Sequence, residues 1–326
     1  MGSERLEYVD ILKGIGILLV IFSHSGAEGG AMMYVGGVFI PLFFIASGYT
    51  SKPLNQSLLS SLRVRTLRLL KPYSFFSIVL LLLYQRFTVL DISGIFYSRY
   101  CLYPYGSGDN LILMGGGSPP LWFLTSLLTA SVPFFLLQRY SKYTSWLILL
   151  FLAYTFVCQF LPVLLPWSLD TACLMAIFMY MGLLLRNGRW QQDFPLTYGL
   201  MLLVVYVLLC TLNGELNVSV REYGCSFLLY LLTGLTGTVI LLRVSRFLQG
   251  SRIGEFLATI GRHSLVIFCI QMFLLRLCHQ FFHAVLHFPT EGLLFYGVSM
   301  VKVLLVAVIG LYISKTMMKY MPWLFK

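Results

Sequence analysis

Charged side chains are scarce in this sequence. Only 11% of its 326 residues are Asp, Glu, Lys or Arg, whereas a soluble domain carries about 25%. Hydrophobic residues make up 58% of the chain and aromatic residues 16%. So little polar surface excludes a soluble globule, and the same composition excludes a disordered chain and a coiled coil. It is typical of a helical membrane protein.

Acidic residues and paired cysteines are also lacking. There are 12 Asp and Glu against 23 Lys and Arg, for a net charge of +11. In a membrane protein such an excess marks the cytoplasmic side rather than a nucleic-acid partner. The seven cysteines are odd in number, form no CxxC pair and lie mostly in apolar runs. They are therefore expected to pack as small hydrophobic residues, not as disulfides or metal ligands.

The sequence is rich in long apolar runs. A membrane-spanning helix needs about 20 largely apolar residues. Ten such runs are predicted, at roughly 11–27, 34–51, 73–90, 119–138, 144–163, 168–186, 196–213, 223–243, 262–283 and 292–314. The prediction is an all-α polytopic membrane protein in which residues 1–326 form a single transmembrane domain.

The distribution of basic residues predicts the orientation. With the N-terminus in the cytoplasm, the inner ends of the ten runs collect all Lys and Arg residues except Arg86, Arg99, Arg221, Arg276 and Lys302. This bias matches the rule that basic residues stay on the cytoplasmic side. An even number of spans then places both termini in the cytoplasm.

Polar residues concentrate in the first apolar run. Asp10, Lys13 and His24 fall nearly in phase on one helical face, and His24 lies about 16 Å beyond Lys13 along the axis. Ionisable groups inside a span indicate a functional site. A cation at the cytoplasmic mouth with an acid–base group far inside suits a long ligand such as coenzyme A. The alternative is a histidine bonded to a neighbouring helix, with Lys13 snorkelling to the membrane surface.

The spacing of Lys13, ten residues and His24 resembles the first-helix signature of the acyltransferase family 3 membrane proteins. Further stretches match the family's motifs in order: 43–49 (FFIASGY), 65–73 (RTLRLLKPY, whose Pro72 is expected to open the third span), 121–124 (LWFL) and 260–265 (IGRHSL). One departure is Gln271, where many relatives have a histidine. We also expect the protein to be without the extracytoplasmic hydrolase-like domain of longer relatives. We therefore expect it to be similar to the short sugar O-acetyltransferases, such as fucose 4-O-acetylase-like and exopolysaccharide or enterobacterial-antigen enzymes.

The resemblance implies an activity and partners. The donor would be cytoplasmic acetyl-CoA, a co-substrate, and the acceptor a hydroxyl of a carbohydrate or lipid-linked glycan. His24 would act as general base or, as the less favoured alternative, as a transient acyl carrier. Lys13 would bind donor phosphates or fix the arm of coenzyme A, and Asp10 would orient or neutralise Lys13. We expect neither a metal nor a nucleic-acid partner, and we expect contact with membrane lipids. By analogy the protein would be a multi-pass protein of a bacterial inner membrane.

The resemblance also assigns a donor platform. Arg65 and Arg68 match the family's RxxR segment, and Arg63 and Lys71 extend the same basic stretch. Guanidinium groups bind phosphates through paired hydrogen bonds, so this stretch is predicted to hold coenzyme A. The alternative is an ordinary cytoplasmic loop touching anionic lipid headgroups.

Acceptor residues are predicted on the outer side. A glycine-rich loop containing Asp109 leads to Trp122, and sugar sites often combine an aromatic ring with acidic or amide side chains. The alternative is that Trp122 anchors the membrane interface. Ser47 and Tyr49 are predicted to help position the acyl group.

A histidine series lies near the outer end of the ninth run. His279, His283 and His287 are spaced four residues apart, as in helical zinc sites. Because no carboxylate or cysteine completes an obvious ligand set, a polar outer rim is the favoured interpretation.

Two other functions fit the composition. A transporter or flippase of glycans or lipid-linked sugars would also carry charged residues within ten spans, but no internal repeat is found. A noncatalytic membrane subunit is the third hypothesis, and the intact set of Lys13, His24, Arg65 and Arg68 argues against it.

Overall fold

The computed structural model describes residues 6–26, 30–51, 58–99, 101–104, 119–188, 195–288 and 292–325. The described residues form twelve α-helices and no strand beyond an isolated bridge between Asn217 and Glu222. In chain order the helices are α1 (Glu7–Ser23), α2 (Ala31–Tyr49), α3 (Leu58–Tyr84), α4 (Val89–Tyr97), α5 (Trp122–Arg139), α6 (Thr144–Cys158), α7 (Ala172–Asn187), α8 (Leu196–Asn213), α9 (Phe227–Phe247), α10 (Arg252–Arg262), α11 (Ser264–His279) and α12 (Gly292–Tyr320).

The helices have the length and surface of membrane spans. Within the described residues, seven helical stretches are long and apolar enough to cross a bilayer, and α8 is a shorter apolar helix. Large apolar side chains are exposed along them; on α8 these include Leu200, Met201 and Val204. Such a surface is stable in lipid, where a helix also satisfies its own backbone groups. The predicted class, an all-α polytopic membrane protein, is confirmed, while the ten-span count and the cytoplasmic termini stay predictions.

The chain forms two compact units. The first comprises Met1–Ala46, Trp190–Leu216 and Gly224–Tyr320. In it α1 packs on α9, α10, α11 and α12, and α8 packs on α9. The backbones of α1 and α10 approach closely because Gly261 has no side chain: a Cβ there would overlap the carbonyl oxygen of Asp10. Small residues allow this kind of backbone contact between membrane helices.

The second unit comprises Ser47–Arg189, Asn217–Tyr223 and Met321–Lys326. In it α5 packs on both α3 and α7, and α6 packs on α7. The three residues of α2 that belong to this unit include Gly48, where a Cβ would overlap the carbonyl of Met179 on α7. The glycine therefore lets the end of α2 lie directly on the α7 backbone.

A buried charge cluster holds the connecting segments of the second unit together. Asp170 is fully buried and accepts hydrogen bonds from Arg99 and, at 3.2 Å, from Arg221. The guanidinium groups also donate to backbone carbonyls, including Leu165 (3.0 Å) and Ser219 (2.9 Å) from Arg99. Because all three nitrogens of Arg99 and both terminal nitrogens of Arg221 donate to acceptors, the cluster links three stretches of chain in the second unit.

The structure corrects the predicted start of the third span. Each predicted run overlaps a helix, but α3 begins at Leu58, not at Pro72, which lies inside the helix. A proline removes one backbone donor, and membrane helices tolerate that loss. The basic residues of the RxxR segment consequently lie on a helix and not in a loop. The predicted 262–283 run corresponds to α11, which begins at Ser264 after a break at His263, and α10 precedes the run.

Candidate functional site

His24 caps the end of α1 with its ring orientation fixed. Its Nδ1 lies 2.8 Å from the carbonyl oxygen of Val20, one turn earlier, and 3.3 Å from Oγ of Ser23. A carbonyl oxygen can only accept, so the geometry assigns the proton to Nδ1. In the neutral ring Nε2 then carries the lone pair. No hydrogen bond joins Nε2 to the part of the protein that the structure describes, and it is the atom that can accept a proton.

The other end of α1 carries Asp10 and Lys13. The helix is unbroken from Glu7 to Ser23, so both residues keep the spacing to His24 that the sequence predicts. Asp10 is buried, and its Oδ2 lies 3.7 Å from Nε of Arg262, at the end of α10. Arg262 is thus an ion partner that the sequence did not assign, although it lies within the IGRHSL motif. Because the Arg262 side chain is 44% exposed, the pair orients Asp10 more than it stabilises the fold.

Arg65 and Ser47, predicted separately, meet in the second unit. Nη2 of Arg65 donates to Oγ of Ser47 at 2.5 Å. Nε of Arg65 is buried and has no hydrogen-bond partner among the described residues. A buried guanidinium donor without an acceptor is costly, and an anionic ligand would satisfy it. Arg65 is therefore a charged group fixed beside the end of α2.

The other basic residues of α3 reach the protein surface to different extents. Arg65, Arg68 and Lys71 recur every three residues, a step of about 60° around the helix, so their side chains fan across one side. Arg63 and Arg68 are exposed and Lys71 is half-buried. Exposed cations beside an inward-turned arginine can bind a polyphosphate at several points.

Arg186 adds a cation that the sequence analysis did not assign to the site. Its Nη1 donates to the carbonyl oxygen of Ser51, just after α2, at 2.6 Å. Nε2 of Gln138 lies 3.4 Å from Oγ of the same serine. Gln138 on α5 and Arg186 on α7 therefore hold Ser51, four residues after Ser47, in place within the second unit. Only the positive-inside pattern pointed to Arg186.

The predicted acceptor residues are placed in part. Trp122 begins α5 and is 8% exposed, with its ring edge-on to Phe123, so it packs within the protein and not toward lipid headgroups. Tyr49 is 2% exposed at the end of α2. Asp109 lies outside the described residues. The role of all three in binding an acceptor stays a prediction.

Two buried polar residues of the first unit were noted in the sequence but not assigned to the site. Lys302 on α12 is fully buried, and its Nζ donates to the carbonyl oxygen of Ser25 at 2.9 Å. Gln271 on α11 is fully buried, and neither end of its amide has a hydrogen-bond partner in the described chain. An ionisable residue within an apolar run was the signal for Lys302. Among the described residues no three His, Cys, Asp or Glu side chains are grouped to hold a metal ion.

These features define a polytopic membrane protein with a histidine whose Nδ1 is bonded to a backbone carbonyl and, in the second unit, a series of basic residues on α3. A family model described as an acyltransferase domain matches residues 6–312. Because this is most of the chain, the protein belongs to the acyltransferase family 3. Comparison with curated proteins and with solved structures finds no match.

Proposed function

We propose that the protein is an acyl-CoA-dependent O-acyltransferase. It transfers a short acyl group, with acetyl as the preferred group, to a hydroxyl of a carbohydrate or a lipid-linked glycan precursor. Membership of the acyltransferase family supports the reaction class. The observation that carries the proposal is the bond from Nδ1 of His24 to the Val20 carbonyl, since it leaves Nε2 as the base.

In the proposed reaction, Nε2 of His24 accepts the proton of the acceptor hydroxyl as the hydroxyl oxygen bonds to the thioester carbonyl carbon. The carbon–sulfur bond then breaks, and the imidazolium returns the proton to the departing thiolate. The products are the acyl ester and coenzyme A, and the histidine is neutral again. The Val20 carbonyl accepts from Nδ1 in both states of the ring, so it also stabilises the imidazolium.

Donor binding is assigned to the basic residues. Arg63, Arg68 and Lys71 are proposed to hold the coenzyme A phosphates, and Arg65 to present its buried donor to the same ligand. Lys13 and Asp10 would guide the donor along α1. In this proposal both termini lie in the cytoplasm of a bacterial cell, and the protein resides in the inner membrane.

Binding and turnover of acetyl-CoA by the detergent-purified protein test the proposal. The wild type should bind acetyl-CoA and release coenzyme A thiol slowly, with water as acceptor. His24→Ala should bind with unchanged affinity and lose turnover, by roughly 10² to 10⁴-fold for a general base. Arg68→Ala should weaken binding, and Lys142→Ala, at an exposed lysine outside the basic stretch, should not. Absence of binding and turnover in the wild type across several acyl-CoAs would overturn the donor assignment.

A further inference from the structure

The most unusual charged group in the first unit is the ammonium of Lys302. It lies in α12, with no exposed surface, among apolar side chains that include Phe295, whose ring centroid is 4.9 Å from Nζ. In the described part of the chain no carboxylate pairs with it. A buried ammonium without a counter-ion costs several kcal/mol, so its presence calls for a role other than stability.

The contacts of Lys302 lead to the residue next to His24. Nζ donates to the carbonyl oxygen of Ser25 at 2.9 Å. The last carbonyls of a helix have no partner within the helix, and α1 ends at Ser23. Lys302 therefore supplies an external donor where the chain leaves α1, one residue beyond the proposed base.

His283 holds the lysine from the other side. Nδ1 of His283 lies 2.9 Å from the carbonyl oxygen of Phe288, so it carries the proton, and Nε2 faces Nζ of Lys302 at 3.4 Å. His283 belongs to a π-helical segment, Gln280–Val285, that continues α11. π-Helical segments are rare in proteins, and those that occur often lie at functional sites. A continuous chain of contacts thus joins Phe288, His283, Lys302 and Ser25.

We propose that Lys302 is a positioning residue that clamps the end of α1, so that Nε2 of His24 stays aligned for proton transfer. This inference rests on the proposed function for its catalytic consequence, while the clamp itself is a property of the fold. His283 orients the lysine, and Ser25 transmits the constraint to His24. A base misplaced by about 1 Å can lose on the order of 10²-fold in rate, which is reason enough to keep a costly buried charge.

Hydrogen exchange tests the clamp independently of activity. The amide hydrogens of His24 and Ser25 bond to the carbonyls of Ile21 and Phe22, and they should exchange slowly in the wild type. In Lys302→Met they should exchange roughly tenfold faster. Lys315→Met removes an exposed lysine from the same helix and should leave their exchange unchanged. Unchanged exchange in Lys302→Met would overturn the proposal, whatever the activity of the wild type.

Kinetics and thermal stability separate positioning from a general loss of structure. Lys302→Met should lower kcat for thiol release by roughly 10- to 100-fold, with an unchanged KM for acetyl-CoA. Its thermal stability should be equal or higher, because an unpaired buried charge is removed. Lys302→Arg, which keeps a charged donor, should recover part of kcat. Loss of kcat in parallel with a lower unfolding temperature would overturn the proposal in favour of a purely structural role. An inactive wild type would count against the proposed function. The hydrogen-exchange experiment would then still test whether Lys302 clamps the end of α1.

Discussion

The buried cluster of Asp170, Arg99 and Arg221 provides the sharpest stability prediction. Asp170→Asn keeps the shape of the side chain but removes the only carboxylate that the structure places against the two guanidinium groups in the described residues. Both arginines are almost fully buried, at 3% and 7% exposure. Removing one member of a buried ion pair costs about 3–5 kcal/mol because a charge is left uncompensated. At about 2.1 cal/mol/K of unfolding entropy per residue, that cost lowers the unfolding temperature of a chain of this size by roughly 4–7 °C.

The cysteines supply the assay. The described chain contains free, buried cysteines, among them Cys101, Cys210 and Cys269, which become reactive toward a fluorescent maleimide as the protein unfolds. Asp170→Asn should shift this transition down, and Glu255→Gln, at an exposed carboxylate on α10, should not. Adding Arg221→Met to Asp170→Asn restores the net charge of the cluster and should recover part of the loss. If Asp170→Asn unfolded at the wild-type temperature, the stabilising role of this cluster would be refuted.

Two other substitutions test close contacts near the proposed site. Gly261→Val should lower the unfolding temperature and the acyl-CoA turnover together, because the valine side chain must displace the backbone at Asp10. Unfolding at the wild-type temperature would show that α1 and α10 do not touch there. Ser47→Ala removes the acceptor of Arg65 and should weaken acetyl-CoA binding by roughly tenfold, the equivalent of one hydrogen bond to a charged group, as measured by calorimetry. Ser145→Ala, at an exposed serine on α6, is its control, and equal affinity in the two variants would exclude Ser47 from donor binding.

The apolar runs predicted most helices because the bilayer imposes a simple rule on composition. The run predicted at 196–213 coincides with α8, Leu196–Asn213, whose ends are marked by Pro195 and Gly214. The start of α3 was missed because residues 58–71 are basic and carry no long apolar run, and because a proline was interpreted as a boundary. Composition alone does not show that a helix continues through Pro72.

The candidate site residues were named one by one from the sequence, but the contacts between them were not predicted. Ser47 and Arg65 were both named from motifs, and the structure adds the bond between them. The partner of Lys302 is a backbone carbonyl at Ser25, 277 positions earlier in the chain. Such a contact arises only from helix packing, and no local pattern encodes it. The tautomer of His24 likewise depends on how its ring turns back toward Val20.

The central claim is that the protein moves an acyl group from acyl-CoA to a carbohydrate with His24 as base. The most direct measurement follows radiolabelled acetyl-CoA, supplied at the cytoplasmic face of inverted membrane vesicles that contain the protein and its native glycans. The account predicts that label enters the carbohydrate fraction with the wild type and stays in acetyl-CoA with His24→Ala. Equal labelling by both proteins, or no label in carbohydrate while thiol is released, would contradict it.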